Sequence, residues 1–412
     1  MPGVTAESVA TTGPVPLRRN RDFLLLWTGA GFSELGARMS VIAFPLVLIW
    51  NLGSPAGAGV VAFAGLLPAL ILQLPAGVLV DRWDRRRLMI VCDTIAAIAM
   101  ASAAVALAFG MVWLPHLVVV SFLEGSCMIF YLLAERAAVR NVVAPEHLST
   151  AVSQNEARSR TAGLLGQPAG SSLFAVLWWL PFAAVAFGHL VALTNVSMVR
   201  KKLQTERVRR PLSLRRDVGA GLRWLWDQKF LRSATLLVAL TNFVAQIVNM
   251  ASILMVRNLG GSAALTGLVG TVAGLGGVCG ALCGAVLLRK LSLGGVLLLD
   301  LAARSVLIPV MAFTTALPLL FPPFALMSFT GAVLNVGAGA YMARIVPDEL
   351  HGRAMSAVLL TSWGMNSAGA LVAGVLLSML TPTATLVGVG VALVVILAAA
   401  ALNPTVRAAG VR

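Results

Sequence analysis

The stretch Gly77 to Ile90, GVLVDRWDRRRLMI, places Asp81, Arg82, Asp84, Arg85, Arg86 and Arg87 within seven positions, and long apolar sequence runs away from it on both sides. A knot of charge between two apolar segments of that length reads as a short connection at the edge of a bilayer. Composition agrees. The 412 residues are 58% hydrophobic and only 11% charged, whereas a soluble domain carries about 25% charged residues. Apolar runs of about 20 residues can cross a bilayer as helices. Inside lipid the backbone must satisfy its own hydrogen bonds, so such runs are helices rather than open strands.

Twelve runs qualify, near 22–50, 56–80, 88–110, 113–135, 150–176, 178–199, 232–256, 263–288, 292–314, 317–340, 354–380 and 383–402. The fifth begins weakly, with Glu156, Arg158 and Arg160. Lys and Arg collect in cytoplasmic loops, and here they alternate. Arg18, Arg19 and Arg21 precede the first run, the next connection has none, and Arg82 and Arg85 to Arg87 follow. After another bare connection come Arg136 and Arg140, and later Arg289, Lys290, Arg344 and Arg353. The alternation predicts twelve spans in a plasma (inner) membrane with both termini cytoplasmic. The net charge of +15 is thereby spread over alternate loops, not gathered on one face as a nucleic-acid partner would require. Its natural counterpart is the anionic lipid of the inner leaflet.

Other signals are weak. Cys92, Cys127, Cys279 and Cys283 all fall inside spans and read as buried small hydrophobes. No Cys/His spacing fits a metal, and no cofactor is expected. The opening MPGVTAESVATTGPVPL lacks a charged start followed by an apolar core and reads as a tail, not a signal peptide.

The chain divides at a basic stretch. The expected organisation is a tail over 1–20, a six-helix bundle over 21–199, a central loop over 200–229, a second six-helix bundle over 230–403 and a tail over 404–412. The halves echo each other: VAPEHLSTA from Val143 matches IVPDELHGRA from Ile345, Asp93 answers Asp300, and Gly77 answers Gly284. The fold class is therefore an all-α membrane protein, with twelve transmembrane helices in two pseudo-symmetric six-helix bundles. Parallel six-span repeats are a transporter plan in which substrate is held between the halves. In the central loop, Leu214, Val218, Leu222 and Leu225 share helical spacing behind Ser213 as N-cap. They read as a short amphipathic helix on the membrane surface.

The opening stretch resembles the loop between spans two and three of the major facilitator superfamily, G-x-L-x-D-R-x-G-R-R/K. Asp84 stands where many members have Gly. Together with the Pro-acidic repeat and RDVGAGLRWL in the central loop, it is similar to the enterobactin-exporter and macrolide-efflux branch. The resemblance implies that Gly77, Asp81, Arg82, Arg85, Arg86 and Arg136 form a conformational latch. In it Asp81 meets the positive N-terminal end of span eleven, near Gly352 to Met355, while the cytoplasmic ends are closed. A plainer role for the arginines is topological.

Span five carries GQPAGS, which keeps the glycine spacing of the exporter-type motif G-P-x-x-G-G through Gly166, Pro168 and Gly170, with the proline one place late. The R-x-x-Q-G of proton-coupled drug exporters is missing from span four, where Ser121 and Glu124 replace its Arg and Gln.

Ionisable groups at membrane depth are costly and mark functional sites. The resemblance implies that spans one, four, seven and ten line a central cavity. On those spans lie Glu34 and Arg38, Glu124 and Tyr131, Asn242, Gln246 and Asn249, and Asn335. Glu34 and Glu124 are the candidates for a coupling proton, because removal from water favours the neutral carboxyl. Glu34 with Arg38 could equally be a neutralising pair, and the span-seven stripe could be interhelical glue. Asp93, and Asp300 with Arg304, read as structural, and the four histidines as lying near span ends.

The function expected is a monomeric secondary exporter, driven by a proton gradient, that moves a small organic molecule by alternating access. A uniporter or importer of the same fold, and a transport-inactive sensor or scaffold, are the alternatives. A membrane enzyme would need G-x-S-x-G, H-E-x-x-H or paired histidines, and a primary pump would need a Gly-Lys-Ser/Thr loop; the sequence has none of them.

Overall fold

The computed structural model describes residues 16–204, 219, 223–346 and 348–405, apart from the side chains at 74, 348–354 and 356. Among the described residues there are thirteen helices of ten or more residues and no strand. In chain order they are α1 (Arg21–Leu46), α2 (Pro55–Ile71), α3 (Gln73–Arg82), α4 (Arg85–Ala108), α5 (Leu114–Val142), α6 (Leu148–Val176) and α7 (Leu180–Met198). There follow α8 (Lys229–Asn258), α9 (Ala263–Leu287), α10 (Leu293–Ala312), α11 (Phe321–Ile345), α12 (Asp348–Met379) and α13 (Pro382–Leu402). Ten segments are long and apolar enough to cross a membrane. An eleventh arises if α2 and α3, bent by 63° at their junction, count as one broken span. The remaining long helix is α6, whose first half carries Glu156, Arg158 and Arg160.

Local chemistry starts and stops these helices. Asn20, Ser54, Ser292 and Thr381 cap α1, α2, α10 and α13 by accepting backbone N–H groups of the first turn. Asp84 does the same for α4, accepting from Arg87 N at 2.8 Å. That explains the departure of the charged loop from the resemblance. A residue with β-region backbone and a short carboxylate is a strong N-cap, and its charge suits the positive helix end.

The packing shows an internal repeat. In the first half α1 packs on α6 and α7, α2 on α5, and α4 on α5 and α7. In the second, α8 packs on α12 and α13, α9 on α11, and α10 on α11 and α13. Counting α2 and α3 as one span, each of these pairings recurs six spans later. The halves meet along two seams, α2 with α12 and α6 with α9, and these too are exchanged by the repeat.

Successive helices run in opposite directions, so the connections fall at two rims. One rim collects the charged loops, with Arg82 to Arg87, Arg136, Arg140 and residues 200–204; it is called the basic rim below. The opposite rim has few charges. There Arg257 at the end of α8 donates to Ile49 O at 2.6 Å, joining the halves. Along the α2–α12 seam, a Cβ on Gly59 would stand 2.7 Å from Gly374 Cα, so only glycine allows that approach.

Three expectations change. Span four does not stop at 135; α5 continues to Val142. Cys92 and Cys127 are buried, but Cys279 and Cys283 are exposed on the outer surface of α9 rather than packed inside. Of the central-loop helix, Leu214, Val218 and Leu222 lie outside the described residues, while Leu225 is buried in helical backbone against Leu231 and Met342.

Candidate functional site

The first half holds two clusters of charge at membrane depth, and α5 connects them. Glu124, Tyr131 and Glu135 recur at i, i+7 and i+11, which returns to one helix face every second or third turn. That face points into the first bundle, and all three side chains are buried. Glu124 and Glu135 are about 16 Å apart along the axis at 1.5 Å per residue. On α1, Ser33 and Glu34 are neighbours in sequence but point about 100° apart, so one side chain enters each cluster.

In the cluster nearer the basic rim, Arg158 of α6 is central. Its Nη1 donates to Glu135 Oε1 at 3.1 Å, and its Nε lies 3.9 Å from Glu34 Oε2. Asn155 Nδ2 also donates to Glu135, at 3.2 Å. Ser159 donates a short hydrogen bond to Glu34. Arg38, one turn along α1, approaches Glu34 at 3.9 Å, and its side chain is 53% exposed. Two buried carboxyls thus face one buried guanidinium. An Arg exposed at this depth needs water rather than lipid around it, so Glu34 sits where the buried interior meets a wet face.

In the second cluster, His189 of α7 lies between two carboxyls. Its Nδ1 is 3.0 Å from Asp93 Oδ1 of α4, and its Nε2 is 3.2 Å from Glu124 of α5. Ser33 donates to Asp93 Oδ1 at 2.9 Å. All four residues are buried. Tyr131 lies between the clusters, within electrostatic reach of Asp93, Glu135 and Arg158. Its hydroxyl is buried without a hydrogen-bond partner among the described residues.

Most of this was not expected. His189 is not near a span end but in the middle of α7, where its lack of neighbouring charge was the available signal. Asp93 is not an isolated structural acid; it belongs to the His189 cluster. Glu135 was not singled out and Arg158 marked only the weak start of span five, yet each neutralises the other inside the bundle. Glu124 and Tyr131 share a face as expected, and that face is turned into the first bundle.

The second half is quieter. Asp300 accepts from Arg304 Nε at 2.9 Å and from Thr330 at 2.6 Å, a neutralised buried group. Gln246 donates to Asn366 of α12 at 3.1 Å. Asn242 is half-buried, and Asn249 and Asn335 are exposed. Among the described residues no group of three or more His, Cys, Asp or Glu has the geometry of a metal site.

Of the expected latch residues, the structure brings Asp81 and Arg85 together. Arg85 is buried, donating to Ala137 O at 3.2 Å and Leu203 O at 3.1 Å, with its Nη2 3.7 Å from Asp81. Gln204 donates to Asp81 O. Arg86 is half-buried, with Nε and Nη2 unpartnered among the described residues. Arg82 and Arg136 are exposed, and Gly77 has open space beside it. Of the expected partners of Asp81, Gly352 to Met355, the side chains at 352–354 lie outside those described, and Met355 is half-buried.

GQPAGS serves two interfaces at once. Gly166 and Gly170 lie against α1, where a Cβ on Gly170 would meet Met39 O at 2.9 Å. Pro168 and Ser171 lie against α9, at Gly267, and Gln167 at Gly270. The motif thus sits where α1, α6 and the other half converge.

A repeat of six spans, seams along α2–α12 and α6–α9, and buried charge at depth are the frame of a two-bundle transporter. The model of the major facilitator family described as "Transmembrane secretion effector" matches residues 11–409. The chain belongs to that family. It is 27% identical over 366 residues to the multidrug efflux pump Tap of Mycolicibacterium fortuitum, covering 85% of this chain and 88% of that one. It is also 27% identical over 233 residues to macrolide efflux protein A of Streptococcus pyogenes, covering 55% and 56% of the two chains.

Among solved structures, a bacterial homologue of the human lysosomal transporter Spinster, inward-facing and unoccupied, superposes with a TM-score of 0.73 at 14% identity. That match covers 95% of this chain and 98% of the other. The nucleoside transporter NupG gives 0.74 at 14% identity over 93% and 100% of the two chains. The fold is that of the major facilitator superfamily, and the protein is a membrane transporter.

Proposed function

We propose that the protein exports a small organic molecule across the cell membrane by alternating access, driven by protons moving inward. The basic rim faces the cytoplasm, in keeping with the positive-inside rule. The observation that carries the coupling is the placement of Glu34. It is buried on α1, hydrogen-bonded to Ser159 and near Arg158, with the exposed Arg38 one turn away. A carboxyl at that boundary can exchange a proton with a water-filled face and a salt bridge with a buried one.

When Glu34 is charged it is held by Arg158 and Ser159 on α6. When it is protonated, Glu135 is the charged partner that Arg158 keeps, and the tie of α1 to α6 weakens to hydrogen bonds such as that from Arg158 Nη1 to Trp27 O. Since α6 also forms the seam with α9, that change reaches the contact between the halves. Asp81 at the basic rim, drawn to the head of α12, is the latch that biases the opposite state. Efflux by the two named relatives supports the outward direction.

The test is transport of ethidium, a permanent organic cation, by the purified chain in liposomes with and without an imposed pH gradient. Gradient-driven movement by the wild type, lost in Glu34→Gln at equal protein content, is the expected result. Gradient-driven movement that survives in Glu34→Gln removes Glu34 from the coupling role.

A further inference from the structure

We propose that the His189 cluster is a second proton-binding site, distinct from Glu34, in which the imidazole is shared between Asp93 and Glu124. As a part of transport it rests on the proton-coupled reading above; as a site it rests on the geometry alone.

Both ring nitrogens are within hydrogen-bond distance of a carboxyl, at 3.0 Å and 3.2 Å. A neutral imidazole has one N–H and one lone pair, while a carboxylate only accepts. The contact with Asp93 can be an N–H donated by Nδ1, and Ser33 donates to the same oxygen. The contact with Glu124 then needs a proton of its own, on Nε2 or on the carboxyl. In either case three titratable groups hold two protons and carry one net negative charge.

That charge is buried, and among the described residues no Lys or Arg pairs with the cluster. The titratable groups facing the ring are Asp93 on α4 and Glu124 on α5, and α1 contributes Ser33; Cys92, Cys127 and Tyr131 share one buried cluster on α4 and α5. Arg158 on α6 turns to Glu34 and Glu135 instead. Asp93 Oδ2 is buried without a hydrogen-bond partner among the described residues. A third proton, arriving from solvent and bonding to a carboxylate oxygen, makes the cluster neutral. The O–H bond that breaks is that of the hydronium ion delivering the proton, which leaves as water.

The site is placed to act on the helices. It ties α1, α4, α5 and α7 together at one level, and Ser33 adjoins Glu34 in sequence. Loading the third proton frees a carboxyl from the ring and loosens the hold of α4 and α7 on α1.

The experiment is infrared spectroscopy of the full chain in lipid nanodiscs as the pH is stepped down, with ethidium transport measured in parallel. Wild type and the control His116→Gln should share a protonated-carboxyl band. That band should be lost or shifted in His189→Gln, and altered again in Asp93→Asn and Glu124→Gln, which keep the imidazole should His189→Gln fail to fold. Gradient-driven ethidium movement should fall to the no-gradient level in His189→Gln. Identical carboxyl bands in the wild type and all three variants overturn the site. A band present in the wild type, together with transport that ignores the gradient, supports the site and refutes the coupling reading.

Discussion

Replacing Arg158 by Met should be among the most damaging single changes in the chain, and Glu135 is the reason. The Glu135 side chain is fully buried, and Arg158 Nη1 is 3.1 Å from its Oε1. Met fills much of the same volume but leaves that carboxyl with Asn155 as its remaining described hydrogen-bond partner. Removing one member of a buried ion pair costs about 3–5 kcal/mol, because the other charge stays buried without compensation. At about 1.4 kcal/mol per power of ten, the folded-to-unfolded ratio should fall by roughly two to four powers of ten.

The proper assay is equilibrium unfolding in mixed micelles, followed by circular dichroism, on Arg158→Met, Glu135→Gln and the double variant. The double variant should recover the part of the loss that Glu135 causes, since a neutral amide needs no counter-charge, while the part due to Glu34, 3.9 Å from Arg158 Nε, remains. The reasoning is refuted if Arg158→Met changes stability by no more than the ~0.5 kcal/mol typical of a surface substitution. It is also refuted if Glu135→Gln brings no recovery.

Other outcomes follow from single contacts. Gly59→Leu should force α2 from α12 at the rim away from the basic loops, because even a Cβ would come within 2.7 Å of Gly374; accessibility of cysteines placed along that seam should rise. Asp84→Ala should destabilise the chain by about 0.5–2 kcal/mol through loss of the α4 cap, read by the same unfolding assay. In detergent, a lipophilic maleimide should label the exposed Cys279 and Cys283 while the buried Cys92 and Cys127 react only after denaturation.

The fold was largely legible in the sequence because membrane helices announce themselves by length, polarity and alternating basic loops. The stretch from Gly77 to Ile90 marked a rim, and Asp84 could be understood only once it was seen capping α4. What could not be read was which charges would meet. Glu135 and Arg158 are 23 residues apart on different helices, and each alone looks like the end of a span. Together they let α5 and α6 carry charge into the interior. His189 sits at the middle of an apolar run, a position that by itself marks an intramembrane ionisable group. Its partners on α4 and α5 follow from packing that no local pattern specifies. Glu34 was legible because, with Arg38, it interrupts a long apolar helix; its bond to Ser159 was not.

Transport by this mechanism requires two halves that open at opposite rims in turn. The most direct measurement is the spin-label distance across each rim in lipid nanodiscs, with Asn51→Cys and Asn258→Cys at one rim and Arg140→Cys and Arg344→Cys at the basic rim. Acidification should lengthen one distance and shorten the other, and Glu34→Gln should fix both at one end of their range. Distances that stay constant, or that lengthen together, would contradict the mechanism.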